Sequence, residues 1–114
     1  MTIPSTVKLI DEAAFYQCAA ITEITIPASV DSIASGPFIG SPIEKLAIDD
    51  SPNVLKLHTN VDFRGMNSLK TLYIGRNLNY PVTPSIGRTL FWGTVALESL
   101  TFGDYVTEIQ EATF

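Results

Sequence analysis

The segment ITEITIPASVDSIASGPF, residues 21–38, decides the fold. Its first seven residues place apolar side chains at positions one, four and six (Ile21, Ile24 and Ile26), with Thr22, Glu23 and Thr25 between them. Apolar residues alternating with polar ones read as a short, half-buried strand. Pro27 has no N–H for a sheet ladder and ends it. The pattern returns as IEKLAID (43–49), LKTLYIG (69–75) and LESLTFG (97–103), closed by Asp49, Gly75 and Gly103. Ile3 opens the chain in the same role. The sixth-position residues Ile3, Ile26, Ile48, Ile74 and Phe102 are spaced by 23, 22, 26 and 28 residues.

The repeat extends past the strands. Ile26, Val30, Ile33 and Phe38 are separated by four, three and five residues, and so are Ile3, Val7, Ile10 and Phe15, and Phe102, Val106, Ile109 and Phe114. In the two middle repeats Phe63 and Phe91 each precede the next strand motif by six residues, as Phe15 does. A unit this short cannot bury its own apolar side, but stacked units share one continuous core. The expected architecture is a solenoid with a parallel β-sheet on one face, short strands, turns or 3₁₀ segments behind it, and few or no long helices. Residues 1–114 read as a single fragment of about 4.5 repeats, a cut from something longer. The extra length falls in 50–62 and 76–89, both rich in Pro, Asn, Ser and Thr, and both expected as loops on one flank. Such insertions either form a binding face or reflect length drift in a tolerant surface loop.

Composition excludes several functions. Apolar residues make up 46% of the 114, enough for a sizeable core. The formal charge is −5 and the seven basic residues form no run, which argues against nucleic acid as a partner. One cysteine, Cys18, permits no internal disulfide, and one histidine, His58, permits no multi-histidine metal site. Cys18 aligns with Ser41 and Thr94 as a small interior residue, and His58 reads as a solvated loop residue. No apolar stretch approaches the roughly 20 residues that span a bilayer, and the N-terminus lacks the pattern of a secretory leader. No phosphate loop is present, and no cofactor is expected.

The stretches TIPSTVKLIDEAAFYQCAAITEITIP (2–27) and ITIPASVDSIASGPF (24–38) resemble the BspA-like leucine-rich repeats. Those repeats carry a strand ending in Ile-Pro, then Val-x-x-Ile, then Phe followed closely by Cys and Leu. LYIGRNLNYPVTPSIGRTLFWG (72–93) is similar to variants in the same family. The resemblance covers essentially the whole chain. It implies a leucine-rich-repeat solenoid from a secreted or surface-exposed bacterial protein, extracellular or at the cell surface, with adhesion-type roles, host or cell-surface protein ligands and no catalysis. Only the first repeat keeps the cysteine; Ser41, Met66 and Thr94 replace it later.

Positions two, three and five of each strand point away from the core, and from them comes the candidate ligand-binding face: Glu23, Thr25, Glu44, Lys45, Lys70, Thr71, Tyr73, Glu98 and Thr101. Glu44, Lys70 and Glu98 line up at position two as a ladder of alternating charge, and Glu23 and Lys45 pair at position three. Cross-strand pairs of this kind fix register and keep the face soluble. Tyr73 is the one aromatic on the face, and exposed aromatics are favoured interface anchors. Trp92, beside Phe91, is a weaker candidate on the back. The face is too open for a carboxylate pair to act as a glycosidase, because nearby Lys45 and Lys70 hold the acids ionised. No catalytic or metal-binding residue is assigned. The expected role is non-catalytic protein binding, with structural spacer repeats or a carbohydrate-binding face as alternatives. Self-association through uncapped ends is also expected.

Overall fold

The computed structural model describes residues 3–11, 20–34, 38, 41–57, 63, 66–80, 91 and 94–109. The expectations for Phe15, Cys18, His58, Trp92 and Phe114 lie outside these residues.

Among the described residues eight short strands form two parallel sheets. The front sheet holds β2 (Glu23–Ile26), β4 (Lys45–Ile48), β6 (Thr71–Ile74) and β8 (Ser99–Phe102), neighbours in that order. The back sheet holds β1 (Leu9–Ile10), β3 (Ser32–Ile33), β5 (Leu55–Leu57) and β7 (Leu78–Asn79), again in order. Three repeats each contribute one front strand and one back strand, β2 with β3, β4 with β5 and β6 with β7, and no helix occurs among the described residues. The front register follows the sequence alignment: Ile24, Leu46, Leu72 and Leu100 form one row, and Ile26, Ile48, Ile74 and Phe102 another.

Turns link the layers identically. The amide N–H of Val7, Val30 and Val106 donates to the carbonyl of Pro4, Pro27 and Gly103, three residues back, at 3.1–3.2 Å. This local bond turns the chain out of the front layer and brings the Val-x-x-Ile segment behind it. The core between the sheets is aliphatic. It holds a column of rings in which Phe38 lies 6.1 Å from Phe63, and Phe63 5.2 Å from Phe91, with planes within 11°. Burying each such Leu, Ile or Phe stabilises by about 1.5–3 kcal/mol. At the β8 end coverage falls: Leu100 and Phe102 are 40% and 37% exposed, while Leu72 and Ile74 one strand inward are 0% and 2%.

The segments 50–62 and 76–89 are not simply loops. The first contains β5, with Leu55 and Leu57 buried and Lys56 exposed, a two-residue alternation across the back sheet. The second contains β7 and the buried residues Arg76 and Tyr80. The back strand is kept in both repeats but its offset changes: β5 runs to nine residues past Ile48, so that Leu57 pairs with Ile33, whereas β7 begins only four residues past Ile74, with Leu78 paired to Leu55. Residues 58–62 and 81–89 lie outside the described residues.

Candidate binding face and the buried Arg76

Alternation along the four front strands turns one set of side chains outward in two rows. Glu23, Lys45, Thr71 and Ser99 form one, and Thr25, Ala47, Tyr73 and Thr101 the other. Lys45 Nζ lies 3.3 Å from Glu23 Oε1, and Lys70 Nζ lies 3.4 Å from Glu44 Oε1. Lys70 thus turns to Glu44, and Glu98, the far member of that row, carries no ion pair among the described residues. All four paired side chains are about half to two-thirds exposed, so each pair contributes at most about 1 kcal/mol. Glu23, Thr25, Glu44, Lys45, Lys70, Thr71, Tyr73, Glu98 and Thr101 all lie on or beside this one open surface.

Tyr73 is half-buried, and its hydroxyl donates to Asp50 Oδ1 at 2.6 Å. That bond, more than partial burial or the neighbouring carboxylates, raises the phenol above its ordinary value. Asp49 is also raised, by burial first and by Asp50 second. The Asp50 side chain crosses the ends of β6 and β8, where only glycines fit. A Cβ on Gly75 would meet the Asp50 amide nitrogen at 2.6 Å and the Ile48 carbonyl oxygen at 2.7 Å. One on Gly103 would meet the Asp50 carboxylate and, at 2.6 Å, the Tyr73 hydroxyl. The sequence marks Asp49 as a strand end and gives no sign of the Asp50–Tyr73 bond, which joins residues 23 apart.

Two further residues were hidden within the 76–89 segment. Arg76 is fully buried. Its Nε donates to Asn53 O at 2.8 Å, and its Nη1 donates to Val30 O at 2.8 Å and Ala28 O at 3.4 Å. One guanidinium thereby ties the turns after β2, β4 and β6. Burial lowers its proton affinity, and Asp31 partly offsets this. Asn77 does the corresponding work one repeat on: its Oδ1 accepts from the Thr107 and Glu108 amides at 2.9 and 3.3 Å, and its Nδ2 donates to Thr107 Oγ1 at 2.8 Å. A groove of about 420 Å³ lies at this end, lined by Phe102, Val106, Thr107, Glu108 and Ile109.

Among the described residues no nucleophile–base pair is assembled in a cleft. Among the described residues no group of His, Cys, Asp and Glu is placed to hold a metal ion, and no helix is long and apolar enough to cross a membrane. Two parallel sheets built from a repeated strand–turn–strand unit define a leucine-rich-repeat type solenoid. The chain belongs to the BspA type leucine rich repeat region family, whose model matches residues 1–114 in six copies, against the roughly 4.5 repeats counted from the strand motifs. No curated protein and no solved structure matches it. Leucine-rich repeats are generally non-catalytic modules of protein–protein interaction, and proteins of this family are typically surface-exposed or secreted.

Proposed function

We propose that the chain is a non-catalytic, protein-binding module of adhesion type in a surface or secreted bacterial protein, and that the front sheet is its binding face. The observation that carries this is the single open surface on which the outward rows of four parallel strands stand in register. The face is preorganised: Tyr73 is held by Asp50, and Lys45 and Lys70 are held by Glu23 and Glu44. A partner therefore meets side chains whose rotamer freedom is already reduced, which lowers the entropic cost of association. Family membership supports a protein ligand. The test is alanine substitution at Lys45, Lys70 and Tyr73, singly and together, with affinity measured by surface plasmon resonance for matrix and cell-surface proteins. Loss of affinity at Tyr73 with a weaker loss at the lysines supports the face. Unchanged affinity for an identified ligand removes it.

End-to-end association is part of the same proposal, supported by exposed Val95, Leu100 and Ile109 at the β8 end. A structural spacer is the second reading, and the observation favouring it is that both lysine–glutamate pairs are satisfied within the chain. A carbohydrate-binding face has less support, since the Tyr73 hydroxyl is already engaged by Asp50.

A further inference from the structure

The front face is unevenly charged. Lys45 and Lys70 stand at the strand starts, and each is held by a neighbouring glutamate, Glu23 or Glu44. The strand-end half carries Asp49, Asp50 and Asp104, all exposed and none in an ion pair among the described residues. Asp50 accepts the Tyr73 hydroxyl bond on Oδ1, and its other oxygen has no hydrogen-bond partner among the described residues. The surface beside these carboxylates is low. Register sets Tyr73 between Ala47 and Thr101, and Gly75 and Gly103 follow two residues on. A Cβ on Gly103 would meet the Tyr73 hydroxyl at 2.6 Å, so the phenol lies over a shelf without side chains and stays half-buried. Its hydroxyl feels the charge of Asp50, Asp104 and Asp49 together.

We propose that the partner docked on the front sheet is a basic protein segment, and that one of its arginines seats on the Tyr73 ring, with the guanidinium donating to the second oxygen of Asp50 and to Asp104. The inference rests on the front sheet being the binding face and adds the chemistry of the partner to it. Charge complementarity selects that chemistry. The lysines of the face are already neutralised within the chain, so the charge left for a partner is negative. An acidic segment meets repulsion there, and the net charge of −5 opposes a second copy of the chain on this face. Arginine fits better than lysine because its planar guanidinium both stacks on an aromatic ring and forks onto carboxylate oxygens. The small neighbours Ala47 and Thr101 leave that plane room to approach the ring.

The experiment is an NMR titration of the isotopically labelled chain with a capped peptide of alternating serine and arginine, and separately with the same peptide carrying lysine or glutamine in place of arginine. The arginine peptide is expected to shift the amides of Ala47, Tyr73, Gly75 and Gly103 saturably, with an affinity that falls as sodium chloride is added. Asp50→Asn keeps an acceptor for the Tyr73 hydroxyl and removes the charge, and Asp104→Asn removes the other carboxylate. Each is expected to weaken binding about two- to fivefold, the range of one exposed ion pair. Tyr73→Leu loses the ring and is expected to weaken binding by about as much, while Tyr73→Phe keeps the ring and most of the affinity. Glu108→Gln removes an exposed carboxylate that lies off the face and is expected to leave affinity unchanged. Equal affinity in Asp50→Asn, Asp104→Asn and Glu108→Gln overturns the proposal. So do equal binding of the lysine peptide, shifts confined to the back sheet, or no saturable shift at all. A protein ligand that shifts the front rows but ignores both salt and Asp50→Asn leaves the binding face standing and overturns the arginine seat. A ligand whose shifts fall elsewhere removes the face, and the seat with it.

Discussion

Replacing Arg76 with Met removes the guanidinium and keeps most of the aliphatic stem, so the effect isolates the cation's hydrogen bonds. Two of those bonds are short, 2.8 Å to Asn53 O and 2.8 Å to Val30 O, and the third, to Ala28 O, is 3.4 Å. Hydrogen bonds to a charged group contribute about 1.5–3 kcal/mol each, so the two short ones contribute about 3–6 kcal/mol. Against this stands the penalty that Met relieves: a desolvated charge with Nη2 unpartnered, about 1–3 kcal/mol for the unmade bond. The mid-range values leave a net loss of about 2–3 kcal/mol. At this chain length each kcal/mol moves the midpoint by roughly 3–5 °C, so the melting temperature falls by roughly 10 °C. Urea denaturation followed by circular dichroism reads the same difference as a lower midpoint at unchanged slope. A variant as stable as the parent, or more so, refutes the reasoning. Burying this cation would then cost more than its three carbonyl contacts return, as happens in some buried ion pairs.

Four other expectations follow from the same geometry. Phe63→Ala opens the middle of the ring column and costs about 3–5 kcal/mol, measured by chemical denaturation, whereas Val95→Ala at the exposed end changes stability by less than about 0.5 kcal/mol. Gly103→Ala destabilises because its Cβ meets the Asp50 carboxylate and the Tyr73 hydroxyl, and Asp50→Ala recovers part of that loss; a double-mutant cycle returning strict additivity contradicts the contact. The raised Tyr73 hydroxyl favours folding while protonated, so its contribution is present below about pH 10 and is lost as pH rises through the higher folded value; ultraviolet titration should show a late-ionising component that is lost in Tyr73→Phe and moved earlier in Asp50→Asn. Asp49 is likewise raised above the ordinary carboxylate value, by burial first and by Asp50 second, so its ionised form weighs against folding. Asp49→Asn should therefore stabilise near pH 7 and lose that advantage near pH 3 in paired thermal melts.

The front sheet was legible because its physics is local: a seven-residue pattern places two core side chains and the turn residue follows at once, so the Ile26, Ile48, Ile74 and Phe102 row aligns by inspection. The back sheet was legible only where the offset from the front strand stayed constant, as from Ile26 to Ile33. In the third repeat Leu55 and Leu57 follow Pro52 and Asn53, and the turn-rich composition masked a two-residue alternation. Arg76 left no signal at all. An arginine after a strand-ending glycine usually faces water, and its burial depends on carbonyls 23 to 48 residues away. Asn77 and Asp50 were hidden for the same reason: each acts on a neighbouring repeat, and a single repeat gives no hint of what its neighbour presents. The lysine–glutamate pairs were readable because their partners occupy the same or adjacent positions on adjoining strands, where the alignment itself supplies the neighbour.

The central claim is that this repeat module binds protein through the front sheet. The direct measurement is amide chemical-shift mapping of the labelled chain with a purified protein ligand. The account predicts that the largest perturbations fall on the outward rows of β4 and β6, at Lys45, Ala47, Thr71 and Tyr73, with little change on the back-sheet row of Leu9, Ser32, Lys56 and Asn79. Perturbations concentrated on that back row, with the front strands silent, would contradict it.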